Sequence, residues 1–357
     1  MYYILSIALV LFFVGFQRLS LTVVIFFIIS RFAFRKSPPQ PQLPPPPPSS
    51  PTIFTDEFSG NLFNNFIELL ENEKDFDVII VVGEYQKKEF KAHSIVLKYR
   101  SLYFRKELTN KDFSSIPRII LNPRISIQHF EIIRKYIYVG VLSFEDLDDL
   151  STFDIMLAAC LLQLEDLAKH IETYLIENKS HWLNRNFVTR VYRTIFQNEF
   201  NKLQKLQKWC NDIVAKYPSV IFGSEYFALI PENALASILE RDDLKMEEIE
   251  VWNSMIKWGI SNNQGLPNEL KNWTHENFQT LKDTLQHCLP HIRYFHISGD
   301  DVVKNIRPYK RILDKDLWKD LSNRLMSPNC PISSIIKPPR NFSKKKNRLI
   351  RKKTIDK

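Results

Sequence analysis

The spacing of apolar residues changes along the chain, and the first spacing that is typical of a globular domain begins at Asp56. From there, apolar side chains recur at helical intervals and predict a first amphipathic helix with the stripe Leu62, Phe63, Phe66, Ile67, Leu69 and Leu70. The sequence FDVIIVVG then predicts a buried strand that turns at Gly83, and KKEFKAH predicts its alternating partner in a hairpin. RIIL, at residues 118–121, predicts a third strand.

Helices are predicted on both sides of this third strand. Ser94 and Ser101 begin the sequences SIVLKYR and SLYFRKEL, and a serine hydroxyl can accept a hydrogen bond from the free amides of a first helical turn. We therefore expect both serines to cap short helices. Further along, SIQHFEIIRKYIYVG predicts a longer helix that ends at Gly140, where a positive φ is easily adopted. Its buried face is expected to consist of Ile127, Phe130, Ile133 and Ile137.

Only helices are predicted from residue 154 to about residue 326. Apolar periodicity indicates helical segments at 154–178, 186–198, 203–216, 232–240, 247–260, 275–287 and 314–325. Trp252 and Trp258 lie six positions apart in one of these segments and are expected in the core. The chain is therefore predicted to contain a small α+β domain followed by an all-α helical domain.

Residues 1–36 form a hydrophobic segment that contains few polar side chains. A helix over residues 4–29 is long enough to cross a bilayer, and the basic residues that follow it would leave the rest of the chain in the cytosol. A cleaved signal peptide fits less well, because a basic start and a small-residue cleavage site are both missing. A third alternative is that the segment does not belong to the functional protein.

Two further segments have a biased composition. Residues 37–55 include SPPQPQLPPPPPSSP, whose prolines favour a stiff polyproline II linker, with docking of an SH3 or WW domain as the alternative. Residues 341–357 include KKKNRLIRKK, which predicts a solvated, disordered basic tail. A nuclear signal or a patch for nucleic acid or lipid is the alternative for this tail.

Composition and charge argue against several classes of function. The chain has only 8 glycines in 357 residues, and they are too scattered to form a glycine-rich loop that cradles phosphate. From Lys337 onward there are ten basic residues and one acidic residue, so this end of the chain accounts for the whole net charge of +9. The globular part is thus close to neutral, and nucleic-acid binding is not expected. Cys160, Cys210, Cys288 and Cys330 are widely spaced, which is typical of buried thiols in a reducing compartment.

No set of residues predicts an active site. His93 lies beside a strand without a nucleophile in a recognisable motif, so we expect it to be a structural histidine. The spacing in HCLPHIRYFH could gather zinc at His287, Cys288, His291 and His296. Pro290 breaks the helix between these residues, so we expect a packed helix end there and no metal or other cofactor.

Several separately spaced elements resemble a BTB (POZ) domain over about residues 61–178. The resemblance is carried by DFDVIIVVG, FKAHSIVLKYRSLYF and YIYVG, and its matching positions include Asp77, Phe90, Ala92, His93, Arg100, Ser101, Phe104, Tyr138 and Gly140. It implies that Asp77, His93, Ser101 and Phe104 have structural roles.

The helical part resembles the BACK domain that follows BTB in cullin adaptors, notably at ALASILERDDLKMEEIEVWNSMIKWG, residues 234–259. LPHIRYFHISGDDVV and PYKRILDKDLWKDL are similar to a fungal group in which BTB and BACK often precede a TLDc domain. No TLDc domain is expected here, since only a short basic run follows IIKPPR. The expected order is a BTB/POZ domain at 56–178, a BACK domain at 179–295, a post-BACK helical extension at 296–340 and the tail at 341–357.

Two positions depart from the patterns of BTB subfamilies. Transcription repressors of this family usually have a basic residue directly after the histidine, where this chain has Ser94, so a corepressor role is not favoured. Cullin-binding members often have a glutamate in the loop after the helix that ends near Leu108. Here the loop is TNKDFSSIPR, so cullin binding is inferred from the pairing of BTB with BACK.

The resemblance implies a non-enzymatic adaptor that presents an unknown protein substrate to a cullin-3-type RING ubiquitin ligase. Tyr103, Leu108 and Phe113 are the expected cullin contacts, with Leu108 and Phe113 near the surface. The apolar helix is expected to form a homodimer interface through Leu62, Phe63, Phe66, Ile67 and Leu70. A cytoplasmic protein is expected, either free or membrane-anchored with both domains facing the cytosol. The alternatives are a dimeric scaffold at a membrane without a ligase role, and a nuclear regulator.

Overall fold

A computed structural model describes residues 56–72, 74–145, 147–327 and 329–341, with side chains from Phe63 onward. The predicted membrane segment, the proline-rich linker and the tail beyond Asn341 lie outside these residues. In the first half of the described chain the elements are α1 (Asp56–Asn72), β1 (Val78–Val82), β2 (Lys88–Ala92), α2 (Ser94–Arg100), α3 (Leu102–Thr109), β3 (Arg118–Ile120), α4 (Ile127–Val139), α5 (Asp149–Leu161) and α6 (Glu165–Asn178).

Helices form the rest of the described chain. The α-helices are α7 (Ser180–Arg185), α8 (Tyr192–Ile195), α9 (Gln204–Lys216), α10 (Ser219–Phe222), α11 (Glu232–Leu239), α12 (Glu248–Ser261), α13 (His275–Thr284), α14 (Gly299–Asp301) and α15 (Lys315–Met326). Two π-helical stretches lie at Phe187–Val191 and Val302–Ile306. Short 3₁₀ helices lie at Asn198–Phe200, Phe227–Leu229, Leu270–Asn272, Leu289–His291, Tyr294–His296 and Arg307–Ile312.

The three predicted strands form a sheet with the order β2-β1-β3 in the described part of the chain. β1 pairs antiparallel with β2, with Ile80 opposite Phe90, and parallel with β3, with Ile80 opposite Ile119. β1 is the central strand, and its run VIIVV is buried almost throughout, as expected for a strand covered on both faces.

Helix α4 covers this sheet with its predicted apolar face. Phe130, Ile133 and Ile137 are fully buried, and the rings of Phe90 and Phe130 meet edge to face with centroids 5.1 Å apart. The helix ends at Gly140, whose φ of 79° allows its N–H to donate to the Tyr136 carbonyl at 2.7 Å. The prediction of this helix and of its terminating glycine is confirmed.

The predicted helical stretch at 154–178 is two helices, α5 and α6. Asp148 begins the first, because its carboxylate accepts a hydrogen bond from the Ser151 N–H at 2.6 Å. The chain turns between the helices at Gln163, which has a φ of 53°. A single apolar period could not reveal this break, because side chains of both helices enter the same core.

Helices α9, α11, α12, α13 and α15 lie close to their predicted bounds, whereas the short helices α7, α10 and α14 were not predicted. The stretch predicted at 186–198 contains a π-helical turn before the short helix α8. Trp252 and Trp258 are both buried as predicted, and their indole N–H groups donate to the carbonyls of Asn305 and Ile230 at 3.1 and 3.0 Å. These bonds satisfy the polar atom of each buried ring.

After α15 the chain does not continue as a helix. Residues 329–341, which we call the C-terminal strap, run back over the helical domain without regular structure. Arg340 at the end of the strap is only 1% exposed. The predicted post-BACK extension is therefore helical only in part, and its last residues are part of the core.

The cysteines are not equally buried. Cys210 and Cys288 are buried as predicted, whereas Cys160 and Cys330 are partly accessible, and all four are free thiols. Burial raises the pKa of the Cys160 and Cys288 thiols to about 12. The thiolate is the reactive form, so these two side chains are mainly in the less reactive thiol form at neutral pH.

The membrane prediction concerns residues 4–29, outside the described residues. Within residues 56–341 as the structure describes them, no helix has the length and apolar character needed to cross a bilayer.

Candidate functional site: an exposed apolar surface beside two short helices

Asp77 fixes the start of helix α2. Its carboxylate accepts hydrogen bonds from the Ser94 N–H and from the Ser94 hydroxyl, both at 2.6 Å. The prediction that Ser94 caps α2 is wrong, because His93 occupies the N-cap position and the Ser94 hydroxyl is used as a donor to Asp77. The serine that replaces the basic residue of the repressors thus completes a structural contact with the aspartate.

His93 is hydrogen-bonded within the domain on both sides of its ring, and its structural role stays a prediction. Its Nδ1 lies 2.8 Å from the Tyr138 hydroxyl and its Nε2 lies 2.7 Å from the Lys74 carbonyl oxygen. The His93 N–H also donates to the Tyr138 hydroxyl at 3.0 Å. Burial raises the pKa of Tyr138, so the hydroxyl stays protonated at neutral pH. Both ring nitrogens are occupied, which leaves the ring no free atom for chemistry.

Ser101 caps helix α3 as predicted and also ties it to the next helical pair. Its hydroxyl oxygen accepts from the Phe104 N–H at 3.2 Å and its hydroxyl donates to the Leu162 carbonyl at 2.7 Å. Phe104 is fully buried, which agrees with its expected structural role. Hydrogen bonds of Asp77 and Ser101 thus hold helices α2 and α3 to the rest of the domain.

Five apolar side chains of these two helices and of the loop after α3 are exposed, and we call them together the α2–α3 surface. Its members are Ile95 at 61% exposure, Tyr99 at 76%, Leu102 at 42%, Phe113 at 43% and Ile116 at 46%. Exposed apolar side chains that group in this way are typical of protein interaction sites.

The loop after α3 presents Phe113 in a defined turn. Asp112 accepts hydrogen bonds from the Ser114 N–H at 2.9 Å and from the Ser114 hydroxyl at 2.6 Å. These hydrogen bonds lower the pKa of the exposed Asp112 carboxyl. The Phe113 ring lies against α2, with the Lys98 Nζ 4.9 Å from its centroid. The loop that carries Phe113 thus lies next to the Lys98 side chain of α2.

The three predicted cullin contacts differ in exposure. Phe113 is near the surface, as predicted, and Tyr103 is half-buried with its ring edge against Phe104 at 5.3 Å. The prediction that Leu108 lies near the surface is wrong, because its side chain is 0% exposed. Phe104 and Leu108 are four residues apart on α3 and therefore point to the same buried side.

Sequence reasoning missed Ile95, Tyr99, Leu102 and Ile116. Ile95 and Tyr99 are also four residues apart, on α2, and Tyr99 is among the most exposed large side chains in the described chain. The apolar period of a seven-residue helix does not say which side faces the core. In the structure Ser94, bonded to Asp77, and Leu97 define the buried side of α2.

Helix α1 carries the predicted dimer interface. Phe66, Leu69 and Leu70 are half-buried and pack against the core, and Phe63 and Ile67 are also half-buried. The side chain of Leu62 lies outside the described residues. Part of the stripe is thus covered within one chain, and dimer formation through the remainder stays a prediction.

The residues of HCLPHIRYFH are engaged separately. The His291 Nδ1 lies 3.5 Å from the Lys337 Nζ, and the His296 Nε2 lies 2.8 Å from the Lys337 carbonyl oxygen. Among the residues that the structure describes, no group of three or more histidine, cysteine or carboxylate side chains could hold a metal ion.

Comparison with protein families places two domains in the chain. The model of the BTB/POZ domain matches residues 66–179, and the model described as BTB And C-terminal Kelch, or BACK, matches residues 194–272. The chain is a BTB–BACK domain protein. The BTB match contains the sheet and the α2–α3 surface, and the BACK match contains helices α9 to α12.

The relatives of this BTB–BACK protein are distant. BTB/POZ domain-containing protein 9 of Drosophila melanogaster is 25% identical over 207 residues, which are 58% of this chain and 27% of that protein. A BTB/POZ domain-containing protein of Arabidopsis thaliana is 23% identical over 286 residues, which are 75% of this chain and 34% of the relative. Kelch repeat and BTB domain-containing protein 2 of Homo sapiens is 23% identical over 194 residues, which are 54% of this chain and 29% of that protein. The chain thus spans about a third or less of the length of these relatives.

Among solved structures, the BTB domain of human gigaxonin is similar to part of the chain. It is 24% identical, with 36% of this chain and 98% of that chain covered and a TM-score of 0.29.

Proposed function

We propose that this protein is an adaptor that holds a substrate protein at a cullin-type RING ubiquitin ligase through its BTB and BACK domains. The two matched domains are interaction modules, and no enzymatic family is indicated by the matches. An adaptor requires no catalytic residues of its own. It acts by raising the concentration of the substrate near the enzyme that carries ubiquitin.

The observation that carries the proposal is the α2–α3 surface, and Phe113 in particular. Exposed apolar and aromatic side chains at the centre of an interface supply most of the binding energy. Phe113 belongs to a turn fixed by Asp112 and Ser114, so little conformational freedom would be lost on binding. Ile95, Tyr99 and Leu102 of this surface lie on the two helices that Asp77 and Ser101 hold to the rest of the domain.

Binding of the purified full chain to the N-terminal domain of a cullin tests the proposal, with calorimetry as the measurement. We expect Tyr99→Asp and Phe113→Asp each to weaken binding at least tenfold, because a charge would be placed in the apolar contact. A tenfold loss of affinity corresponds to about 1.4 kcal/mol of binding free energy. The matched control is Tyr85→Asp, since Tyr85 is 92% exposed in the β1–β2 turn and is not part of the α2–α3 surface. The melting temperature of each variant should stay near that of the unaltered chain.

A second candidate is a dimeric scaffold without a ligase role. It is favoured by the loop TNKDFSSIPR, which has no glutamate at the position where cullin-binding relatives often have one. If the unaltered chain shows no cullin binding at high micromolar concentration, the adaptor proposal is wrong and the scaffold takes its place. Equal binding by the Phe113→Asp variant would instead remove the α2–α3 surface as the contact.

A further inference from the structure

A cleft lies between the BTB domain and the first helices that follow it. Its volume is about 570 Å³, and it is lined by residues of α5 on one side and by residues of the segment Phe187–Phe200 on the other. Three of the described residues that line it are arginines, namely Arg124, Arg190 and Arg193. The α2–α3 surface contributes no residue to this lining.

The arginines are only partly neutralised by their neighbours. Arg190 forms an ion pair with Asp154, and Arg124 lies 3.5 Å from a carboxylate oxygen of Glu199. The partner of Arg193 is a neutral group: its Nη1 donates a hydrogen bond to the Thr189 carbonyl oxygen at 3.4 Å. Two carboxylates, Asp154 in the lining and Glu199 beside it, thus face three guanidinium groups among the described residues.

Two of these arginines contain buried donors without acceptors. The Nε atoms of Arg190 and Arg193 are shielded from solvent and have no hydrogen-bond partner among the described residues. A buried N–H group is normally hydrogen-bonded, and an unpartnered one requires an explanation, such as a ligand that is bound in the functional state. Both arginines come from one short stretch of chain and line the same cleft.

The lining also has an apolar part next to the arginines. It includes Leu157, Leu161, Phe200 and Leu229, and Leu229 is 56% exposed. The cleft is therefore open to solvent beside an apolar wall. A ligand with an anionic group and an adjoining apolar part would match both features.

We propose that this cleft binds a phosphate group of a ligand that bridges the BTB domain and the helical domain. The planar fork of arginine matches the oxygens of phosphate, and several arginines together can neutralise its double charge. The phosphate would accept hydrogen bonds from the guanidinium groups of Arg190 and Arg193. It would contact Arg124, directly before α4, from the other side of the cleft.

Two sources share this chemistry, a phosphorylated residue of a partner protein and a small phosphorylated molecule. The apolar wall at Leu229 would contact the part of the ligand next to the phosphate in either case. Binding in this cleft would also tie the BTB domain to the segment Phe187–Phe200, so that it raises the melting temperature of the chain.

The test uses the full chain at low ionic strength, because partly exposed charges are screened by salt. Calorimetry and thermal melting are recorded with inorganic phosphate, with a phosphoserine peptide that has leucine beside the phosphoserine, and with its unphosphorylated counterpart. We expect binding of the phosphopeptide or of phosphate, with a rise in melting temperature, and no binding of the unphosphorylated peptide. A phosphopeptide that binds at least tenfold tighter than phosphate identifies a protein as the source, and equal binding identifies a small molecule.

Variants separate this site from general attraction of anions. Arg193→Ala and Arg124→Ala should each weaken binding at least tenfold, whereas Arg185→Ala, an exposed arginine outside the cleft, should bind as the unaltered chain does. Arg124 is exposed, so its variant remains informative even where Arg193→Ala fails to fold. The proposal is overturned if neither phosphate nor the phosphopeptide binds at millimolar concentration, or if Arg185→Ala weakens binding as much as Arg124→Ala does.

Discussion

Arg340 and Glu248 lie 92 residues apart in the chain, and the Arg340 Nε donates to a Glu248 carboxylate oxygen at 2.7 Å. Both side chains are buried, with 1% and 6% exposed. Arg293 contributes to the same cluster, since its backbone N–H donates to Glu248 at 3.1 Å and its Nη1 donates to the Pro338 carbonyl at 2.7 Å. The C-terminal strap is thus held to helix α12 by a buried ion pair.

Removal of one charge from this pair should destabilise the protein strongly. We expect Arg340→Ala to lower the free energy of unfolding by about 1.5 to 3 kcal/mol, because Glu248 would lose the hydrogen bond from the Arg340 Nε and keep only Arg293, whose Nε lies 3.9 Å away, as its cation. Urea denaturation measures this loss. Arg307→Ala, which removes an exposed arginine, is the matched control and should change little. A loss of stability no larger than that of the control would contradict a structural role for the strap.

The stability that the other end of the strap gains from Asp320 is expected to depend on pH. One of its carboxylate oxygens accepts hydrogen bonds from the N–H groups of Ser333 and Ser334 at 2.8 and 2.7 Å, and from both hydroxyls. The bonds to Ser334 and Ser333 lower the pKa of Asp320 below its usual value of 3.8. Because the pKa is lowered, the folded chain binds this proton less well than the unfolded chain does. The ionised Asp320 therefore stabilises the folded chain fully above pH 3.8, and this stabilisation is lost as the pH falls through the lowered pKa.

The experiment compares the melting temperatures of the unaltered chain and of Asp320→Ala across this range. The variant should melt lower at neutral pH, and the difference should shrink below the usual pKa of the carboxyl. Asp316→Ala, an exposed aspartate on the same helix, serves as the control. A difference that stays constant down to the most acid pH at which the chain folds would show that the charge of Asp320 is not what holds the strap.

Asp77→Ala tests the structural role of the aspartate beneath α2. The change leaves the Ser94 N–H and hydroxyl without their acceptor, and we expect a loss of about 1 to 3 kcal/mol in the free energy of unfolding. Glu84→Ala, at an exposed position in the β1–β2 turn, should be close to neutral. Unchanged stability together with lost binding to a partner would assign Asp77 a direct functional role.

Leu108 and Phe113 should respond in opposite ways to truncation. Leu108→Ala removes a fully buried side chain and should cost about 2 to 5 kcal/mol of stability. Phe113→Ala removes a ring that is 43% exposed, so it should change stability much less. Thermal melting of the two variants side by side decides this. A large loss with Phe113→Ala would place the ring in the core and remove it from the α2–α3 surface.

Homodimer formation through α1 is open to a direct test. Light scattering of the unaltered chain at tens of micromolar should give the mass of a dimer, and Phe63→Asp combined with Ile67→Asp should give that of a monomer. Asn65→Asp, at an exposed position between them, adds charge without removing an apolar side chain and should remain dimeric. A monomer from the unaltered chain contradicts the prediction.

The sequence by itself determined the elements and their order. Strands β1 to β3, helix α4 with its Gly140 end, and most helices of the BACK region follow from the period of the apolar side chains, which is a local property of the backbone geometry. The resemblance to the BTB domain also pointed to Ser101, which caps α3, and to Phe104, which is buried, because both belong to one short motif.

The tertiary structure decided which of several apolar or charged positions meet. Leu108 and Tyr99 both lie on short helices, and only the packing of α2 and α3 onto the sheet shows that the first is buried and the second exposed. Arg340 belongs to a run that looks like the start of a basic tail, yet its charge is buried against Glu248 on another element. Such contacts join residues far apart in sequence, and no local period records which partners the folded chain brings together.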